Sequence, residues 1–499
     1  MNLTTELAGL RRALATYGRA NAAPSEALCE ALAAVAAGHP PPDDGWLRVL
    51  GGRRRSRLSM REAAASLLTQ LGVWDGHEDI EALASGLLMS PPPLARPWRM
   101  YTEPELDATD VPLVAIDSAD PHEIDDALYA EREGESIRLW IAIAAPGCWI
   151  APGDPIDLDA RSRGASLYHP RYHVPMLDAA FCRDACSLVP AQRRPALLLR
   201  LRIDAAGDAV TEAVDLAWVR VAESWTYDDA GRALDDGSAP PWLAAAAEAA
   251  QRSETARIAR GAYLLYRPDV ELRAPPFATP TLRPAPQAAL ARRVVSEAMV
   301  RAGIAVAGWL DVRGLPAPFR GHTAVRPPPL PPGCYTDPAD VGAVLRSMGP
   351  ARVQARSLRH DILGAAAYVQ AGSPLRRYGD LLVQHQVLAA MRQRPTPFDA
   401  GPLLEALSAS EERRRAMRRL ERRGRRYFQL LHLAGHGLGT TLRGQVLAGN
   451  GRLPPRAQVP ELGLEIELPS YAGGEGEWVR LVVDAIDPMR GRIDVHIAG

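Results

Sequence analysis

At 499 residues the chain is long enough for roughly two to four domains around a large core. With 47% hydrophobic residues, 23% charged residues and a formal net charge of −1, it has the make-up of a soluble globular protein. A uniformly basic nucleic-acid-coating protein is excluded, so any polyanion-binding surface must be local.

All 58 basic residues are arginine, which suits bidentate phosphate contacts, although a GC-rich coding bias accounts for it more simply. The cysteines, Cys29, Cys148, Cys182, Cys186 and Cys334, are odd in number and scattered. That pattern predicts reduced thiols and a cytoplasmic setting. No signal peptide and no membrane span are predicted.

Residues 1–90 read as mostly helical. Leu7, Leu10, Leu14 and Tyr17 recur at helical spacing. Trp46–Leu50 reads as a strand with Gly51-Gly52 as its turn, followed by a basic cluster of Arg53, Arg54, Arg55 and Arg57. Ser59 and Glu62 form a capping box that opens another helix. Two readings stand level: a winged helix-turn-helix whose wing carries the arginines onto a phosphate backbone, or a helical adaptor with a solvated basic turn. The proline-rich stretch 90–97 is a linker.

Next comes Asp117-Ser118-Ala119-Asp120-Pro121-His122-Glu123-Ile124-Asp125-Asp126, with apolar runs on both sides. The runs predict two strands, and Asp120-Pro121 predicts a turn between them. Carboxylates wedged between apolar strands repel one another unless a cation neutralises them. Hard oxygen donors would select magnesium or manganese. The bland alternative is a solvated acidic loop.

Further on, Ile137–Ala144 reads as a strand and residues 286–311 as a long helix. His322 either faces a ligand or is a hydrogen-bonded core histidine. Ser373-Pro374-Leu375-Arg376-Arg377-Tyr378 reads as a helix start with Pro374 in its first turn, which makes it either a phosphate site or a solvated basic turn. Residues 411–431 form a helix crowded with nine arginines, from Arg413 to Arg426, facing either RNA or solvent. Residues 440–499 show four strands, one short of a small five-stranded OB-type barrel.

Two of these stretches resemble signatures of the ribonuclease II family. Ile116-Asp117, Glu123 and Asp125-Asp126 match the spacing of its acidic signature, with Glu123 where the family usually has Asp. Ser373–Tyr378 is similar to its Thr-Ser-Pro-Ile-Arg-Arg-Tyr block. Weaker likenesses run from about residue 99 to residue 499. The resemblance implies an α+β fold: a helical, winged-helix-like N-terminal domain (1–90), a mixed α/β ribonuclease II-type catalytic domain (99–435) and a C-terminal OB-type barrel (440–499).

It also implies a 3′-to-5′ exoribonuclease that releases nucleoside 5′-monophosphates from single-stranded RNA with a free 3′ end. Asp117, Glu123, Asp125 and Asp126 would hold Mg2+ (or Mn2+), with Asp125 and Arg376 catalytic. Tyr168 would stack on the terminal base, with the ring rather than the hydroxyl mattering, or else be a core tyrosine. Arg377, Glu421 and the Arg53, Arg54 and Arg55 cluster would contact RNA. Ala145, Gly303, Gly372 and Gln384 depart from the family pattern. Together with Glu123, they support an alternative, a catalytically weak RNA-binding protein on the same fold.

Overall fold

The apolar runs around the acidic stretch do pair as strands in this computed structural model, which describes residues 2–17, 23–50, 59–285, 289–449, 454–469 and 471–498. In chain order the strands are β1 (Leu106–Asp107), β2 (Leu113–Asp117), β3 (Asp126–Glu133), β4 (Ser136–Ala144), β5 (Leu167–His169), β6 (Tyr172–Val174), β7 (Arg193–Ile203) and β8 (Ala209–Thr226). Six of them make one sheet in the order β1-β8-β2-β3-β4-β7.

β8 is 18 residues long and pairs with β2 (parallel) within that order and with β7 (antiparallel) at its far end, so the sheet curls round and closes on itself. Strand alternation divides its side chains. Ile137, Leu139, Ile141 and Ile143 pack with the helices Pro241–Ala259 and Leu290–Asp311, while Ala142 and Ala144 turn to a second core shared with Leu381 and Leu382 of the helix Tyr378–Met391.

The N-terminal unit differs from the winged-helix expectation. Its described residues form five helices, α1 (Leu3–Tyr17), α2 (Glu26–Ala36), α3 (Asp44–Leu50), α4 (Met60–Gln70) and α5 (Ile80–Ala84), and no strand. The stretch expected to be a strand is α3. Trp46 and Leu50, four apart, both point into the core with Leu7, Leu28 and Leu68, so the helical period wins over the strand period. Truncating so large a buried ring costs about 3–5 kcal/mol. Gly51-Gly52 and Arg53, Arg54, Arg55 and Arg57 lie outside the described residues. The Ser59–Glu62 capping box is present.

The arginine-rich helix is longer than expected, Ala400–Ala434. Six of its nine arginines bond to protein acceptors rather than face open solvent. Arg413 donates to Gly86 O, and Arg414 and Arg418 pair with Glu411. Arg423 pairs with Asp79 and Glu81, Arg425 with Asp269, and Arg426 donates to Gly491 O and Glu465 O. The helix is a spine that ties the N-terminal unit and the C-terminal sheet to the body between them.

The C-terminal sheet has five antiparallel strands. The one missing from the sequence reading is Arg456–Val459, between Thr441–Leu447 and Leu464–Glu467. Among the described residues the outer strands do not pair, so the sheet is an open half-barrel rather than a closed OB barrel.

Candidate active site

Asp117 closes β2 and Asp126 opens β3, so the acidic stretch is the loop between two buried strands. The loop is pinned from below. Ile124 N–H donates to Ser187 Oγ at 2.9 Å, and its carbonyl accepts from Leu188 N–H at 3.0 Å. The Asp125 carbonyl accepts from Ala144 N–H at 2.7 Å. These bonds fix the direction of each acid.

The arginine segment meets this loop from 250 residues away. Leu375 N–H donates to Asp125 Oδ1 at 2.9 Å, and Arg376 Nε donates to Asp125 Oδ2 at 2.9 Å. Arg376 Nη2 also donates to Ser373 Oγ at 3.0 Å. Its side chain keeps 40% exposure, so one guanidinium edge faces outward beside the acids.

Pro374 is not in the first turn of a helix, as had been expected. Residues 373–377 are a turn, and the helix starts at Tyr378 with Arg377 as its N-cap. The extended backbone is claimed by pairing with the strand-like segment before β5: Ser166 N–H donates to Arg376 O and Tyr378 N–H to Gly164 O. Arg377 turns away from Arg376 and donates to Asp380, a carboxylate that is 1% exposed. The expected RNA contact through Arg377 is thus occupied by an internal ion pair.

Glu123 also points elsewhere than expected. Its Oε1 accepts from Ser166 Oγ at 3.1 Å, with His173 Nε2 at 3.4 Å, and its Oε2 accepts from the Tyr168 hydroxyl at 2.9 Å. Tyr168 stands on the β5–β6 hairpin with its ring half open to solvent and its hydroxyl turned in. His122 and His173 stack at 3.8 Å between ring centroids, and His173 lies 5.0 Å from Tyr168. Glu421, on the spine helix, accepts the Tyr168 backbone N–H at 2.7 Å, so it holds the hairpin.

Burial dominates the electrostatics. It pushes Asp125 up to about 7 against the pull of Arg376 and the Leu375 N–H. It pushes Asp126 to about 7 as well, helped by the charges of Asp125 and Asp117, and raises Asp117. Burial also works on Glu123, but the hydrogen bonds from His173, Tyr168 and Ser166 outweigh it and hold that acid below its ordinary range. For Arg376, burial opposes the charge and Asp125 more than restores it.

The four acids therefore fall into two pairs. Both oxygens of Asp125 and of Glu123 are engaged by protein donors, whereas Asp117 and Asp126 form an under-neutralised pair. Among the described residues, no three His, Cys, Asp or Glu side chains converge into a metal cage. Magnesium needs none, because it is commonly held by one or two carboxylates with water and substrate phosphate. Asp117 and Asp126 fit that demand.

Other expectations resolve locally. His322 is half-buried and its Nε2 contacts the Gly349 carbonyl, the hydrogen-bonded alternative. Gly303 packs beneath Tyr368, where a Cβ would stand 2.4 Å from the ring. Ala145 and Gln384 are neighbours. Gln384 bonds Ala144 O at 2.7 Å and Gly147 N–H at 3.4 Å, in a buried layer behind the acids.

Sequence reading missed Ser166, Ser187 and the His122–His173 stack. It also missed Tyr227, whose hydroxyl is raised by burial and by Asp126 and Asp117 and whose ring lies under Arg292. Tyr227 directly follows β8, which borders β2 of the acid loop but is not among the strands expected from the sequence.

The closed mixed sheet, with its carboxylates set against an arginine turn, has counterparts among known proteins. The model of the RNB domain matches residues 106–330 and 338–393, and the chain belongs to that family. It is 30% identical over 390 residues to an uncharacterized ribonuclease of Synechocystis sp., covering 73% of this chain and 57% of that protein. The chain spans about half the length of the curated relatives it matches. Among solved structures it resembles Mycoplasma genitalium RNase R in complex with ribose methylated single-stranded RNA, with a TM-score of 0.68, 19% identity and coverage of 84% of this chain and 77% of that one. It also resembles yeast Ssd1, described as a pseudonuclease, with a TM-score of 0.56, 18% identity and coverage of 75% and 51%.

Proposed function

We propose that this chain is a magnesium-dependent 3′-to-5′ exoribonuclease that hydrolyses single-stranded RNA to nucleoside 5′-monophosphates. The observation that carries the reading is the placement of Arg376. Asp125 fixes its Nε edge, and its positive charge acts on both Asp117 and Asp126. Asp117 and Asp126 would hold the magnesium, which would supply Lewis-acid polarisation and an activated water.

The chain's own residues do the rest. Asp125 orients Arg376 and balances its charge, so the guanidinium is already aimed when charge builds on the phosphate. Removing one such preorganised donor typically costs about 10²–10³ in rate. The Tyr168 ring offers a face for the terminal base, worth about 1–3 kcal/mol. Glu421 and Glu123 hold that ring in place through its backbone and its hydroxyl. A cytoplasmic setting belongs to the same proposal, supported by the five free thiols.

Incubating the protein with 5′-labelled single-stranded RNA, with and without magnesium, tests the reading: a ladder shortening from the 3′ end with mononucleotide release is expected, and Asp126→Asn should stop it. The second reading is a catalytically weak RNA-binding protein on the same fold. It draws on the internal engagement of Asp125 and Glu123 and on the likeness of fold to a pseudonuclease. It predicts RNA binding with no ladder at any magnesium concentration.

A further inference from the structure

Arg171 sits at the tip of the β5–β6 hairpin, three residues beyond Tyr168, and is almost wholly buried. Its guanidinium lies 5.0 Å from the Phe428 ring of the spine helix. Its Nη2 reaches Asp75 Oδ2 at 2.6 Å, with the two side chains only 5% and 7% exposed. Asp75 belongs to the N-terminal unit, ahead of the linker. The same Oδ2 accepts Phe277 N–H at 2.8 Å, from the loop of the hairpin formed by Val270–Arg273 and Thr281–Pro284, and Oδ1 accepts His77 N–H at 3.0 Å. One carboxylate thus joins three segments that are far apart in sequence. Next to it, His77 Nδ1 and the Tyr427 hydroxyl are 2.6 Å apart.

We infer that Asp75 is a positioning residue for the terminal nucleotide, and that residues 75–81 are a working part of the exonuclease site rather than an accessory to it. The inference rests on the proposed exonuclease reading. The β5–β6 hairpin has just three residues in each strand and is held by side chains around it, Glu123 at the Tyr168 hydroxyl among them. Glu421 grips the Tyr168 N–H from the catalytic side, and Asp75 grips Arg171 from the N-terminal side. So short a hairpin cannot hold a stacking ring on its own strand pairing. A buried guanidinium that loses its only carboxylate would pull toward water and take the hairpin with it. The ring of Tyr168 would then lose its fixed angle to the acids.

The test uses the full-length chain and a short single-stranded RNA with 2-aminopurine as its 3′-terminal nucleotide, whose fluorescence is quenched on stacking. Asp75→Asn, Asp75→Ala and Arg171→Gln are compared with Arg413→Gln. Arg413 docks the same N-terminal unit through Gly86 O but does not touch the hairpin.

The expected result for the Asp75 and Arg171 variants is weaker quenching and a KM raised roughly tenfold, with kcat within about twofold of the parent. The double variant Asp75→Ala/Arg171→Gln should be no worse than either single one, and Arg413→Gln should match the parent. Thermal melts confirm that each protein is folded, and Asp75→Asn, which preserves shape, serves if the alanine variant is not. Parental quenching and KM in a folded Asp75 variant would overturn the inference, as would equal losses in Arg413→Gln. Failure of the exonuclease reading is seen separately, as the absence of Asp126-dependent turnover in the parent. The quenching readout then still decides the clasp.

Discussion

Arg376 and Arg377 are adjacent in sequence and opposite in use: one lies on Asp125 in the acid loop, and the other on Asp380, inside the protein. Alanine at the two positions should therefore fail in different ways. Arg376→Ala should lose about 10²–10³ in single-turnover rate, in addition to the stability lost when buried Asp125 gives up its partner. Arg377→Ala leaves a buried carboxylate short of its partner, which costs about 3–5 kcal/mol. Its loss should appear in denaturant unfolding first. Equal rate losses at equal stability would contradict this division.

The two pairs of acids make a second prediction. Asp126→Asn and Asp117→Asn should require far more magnesium for any residual turnover. Glu123→Gln should leave the magnesium dependence within a few-fold of the parent and instead disturb Tyr168, to which Glu123 is bonded. Magnesium titrations of single-turnover rates for the three variants check it. A Glu123 variant as magnesium-hungry as the Asp126 variant would restore the four-acid set.

Tyr168→Phe was expected from sequence to do little. The hydroxyl bond to Glu123 changes that expectation. Hydrogen bonds to a charged group are worth about 1.5–3 kcal/mol. The phenylalanine variant should therefore lose stability and some rate while keeping the parent's limit product. Tyr168→Ala should change the length of that product as well. Product ladders and melts of both variants separate ring from hydroxyl.

The buried pair behind the arginine turn gives a pH prediction. His385 Nε2 lies 3.1 Å from Asp157 Oδ1, and Tyr378 and Gly153 N–H also donate to this carboxylate. Burial pushes Asp157 up, but these partners outweigh it and its pKa is lowered on folding. A lowered carboxylate stabilises the fold fully above its unfolded pKa, about 4. That contribution is lost as the pH falls through the folded value. The stability gap between the parent and Asp157→Asn should therefore be widest near neutral pH and close in acid below about pH 4. Urea unfolding across that range measures it, and a gap independent of pH would show that the charge is irrelevant.

How much of this was legible in the sequence follows from the reach of the interactions. The acid loop was legible because its apolar flanks are local, and so was Arg376, as part of a compact block. The division of labour among the acids was not, because it depends on Ser166 and Leu375, 43 and 250 residues from the acids they bind. The five residues Trp46–Leu50 satisfy either periodicity, and only burial against α1 and α2 selects the helix. Strand Arg456–Val459 alternates polar and apolar residues over only four positions after a Pro-Pro pair, too few to read as a strand, and it buries Gln458. Asp75 and Arg171 lie in no motif at all.

The separation of Asp125 from Leu375 and Arg376 also sets a clock. During synthesis the acids emerge long before the arginine that completes them. About 250 residues at about 5–20 residues per second is a lag of roughly 12–50 s. Over that interval the growing chain holds its carboxylates without the donor that aims at the phosphate, and the messenger being translated is close at hand. On the proposed exonuclease reading, the site stays silent until residue 376 has been made. Ribosome-bound chains stalled before residue 376 should therefore leave added RNA intact, and chains released after the end of the helix Ala400–Ala434 should not.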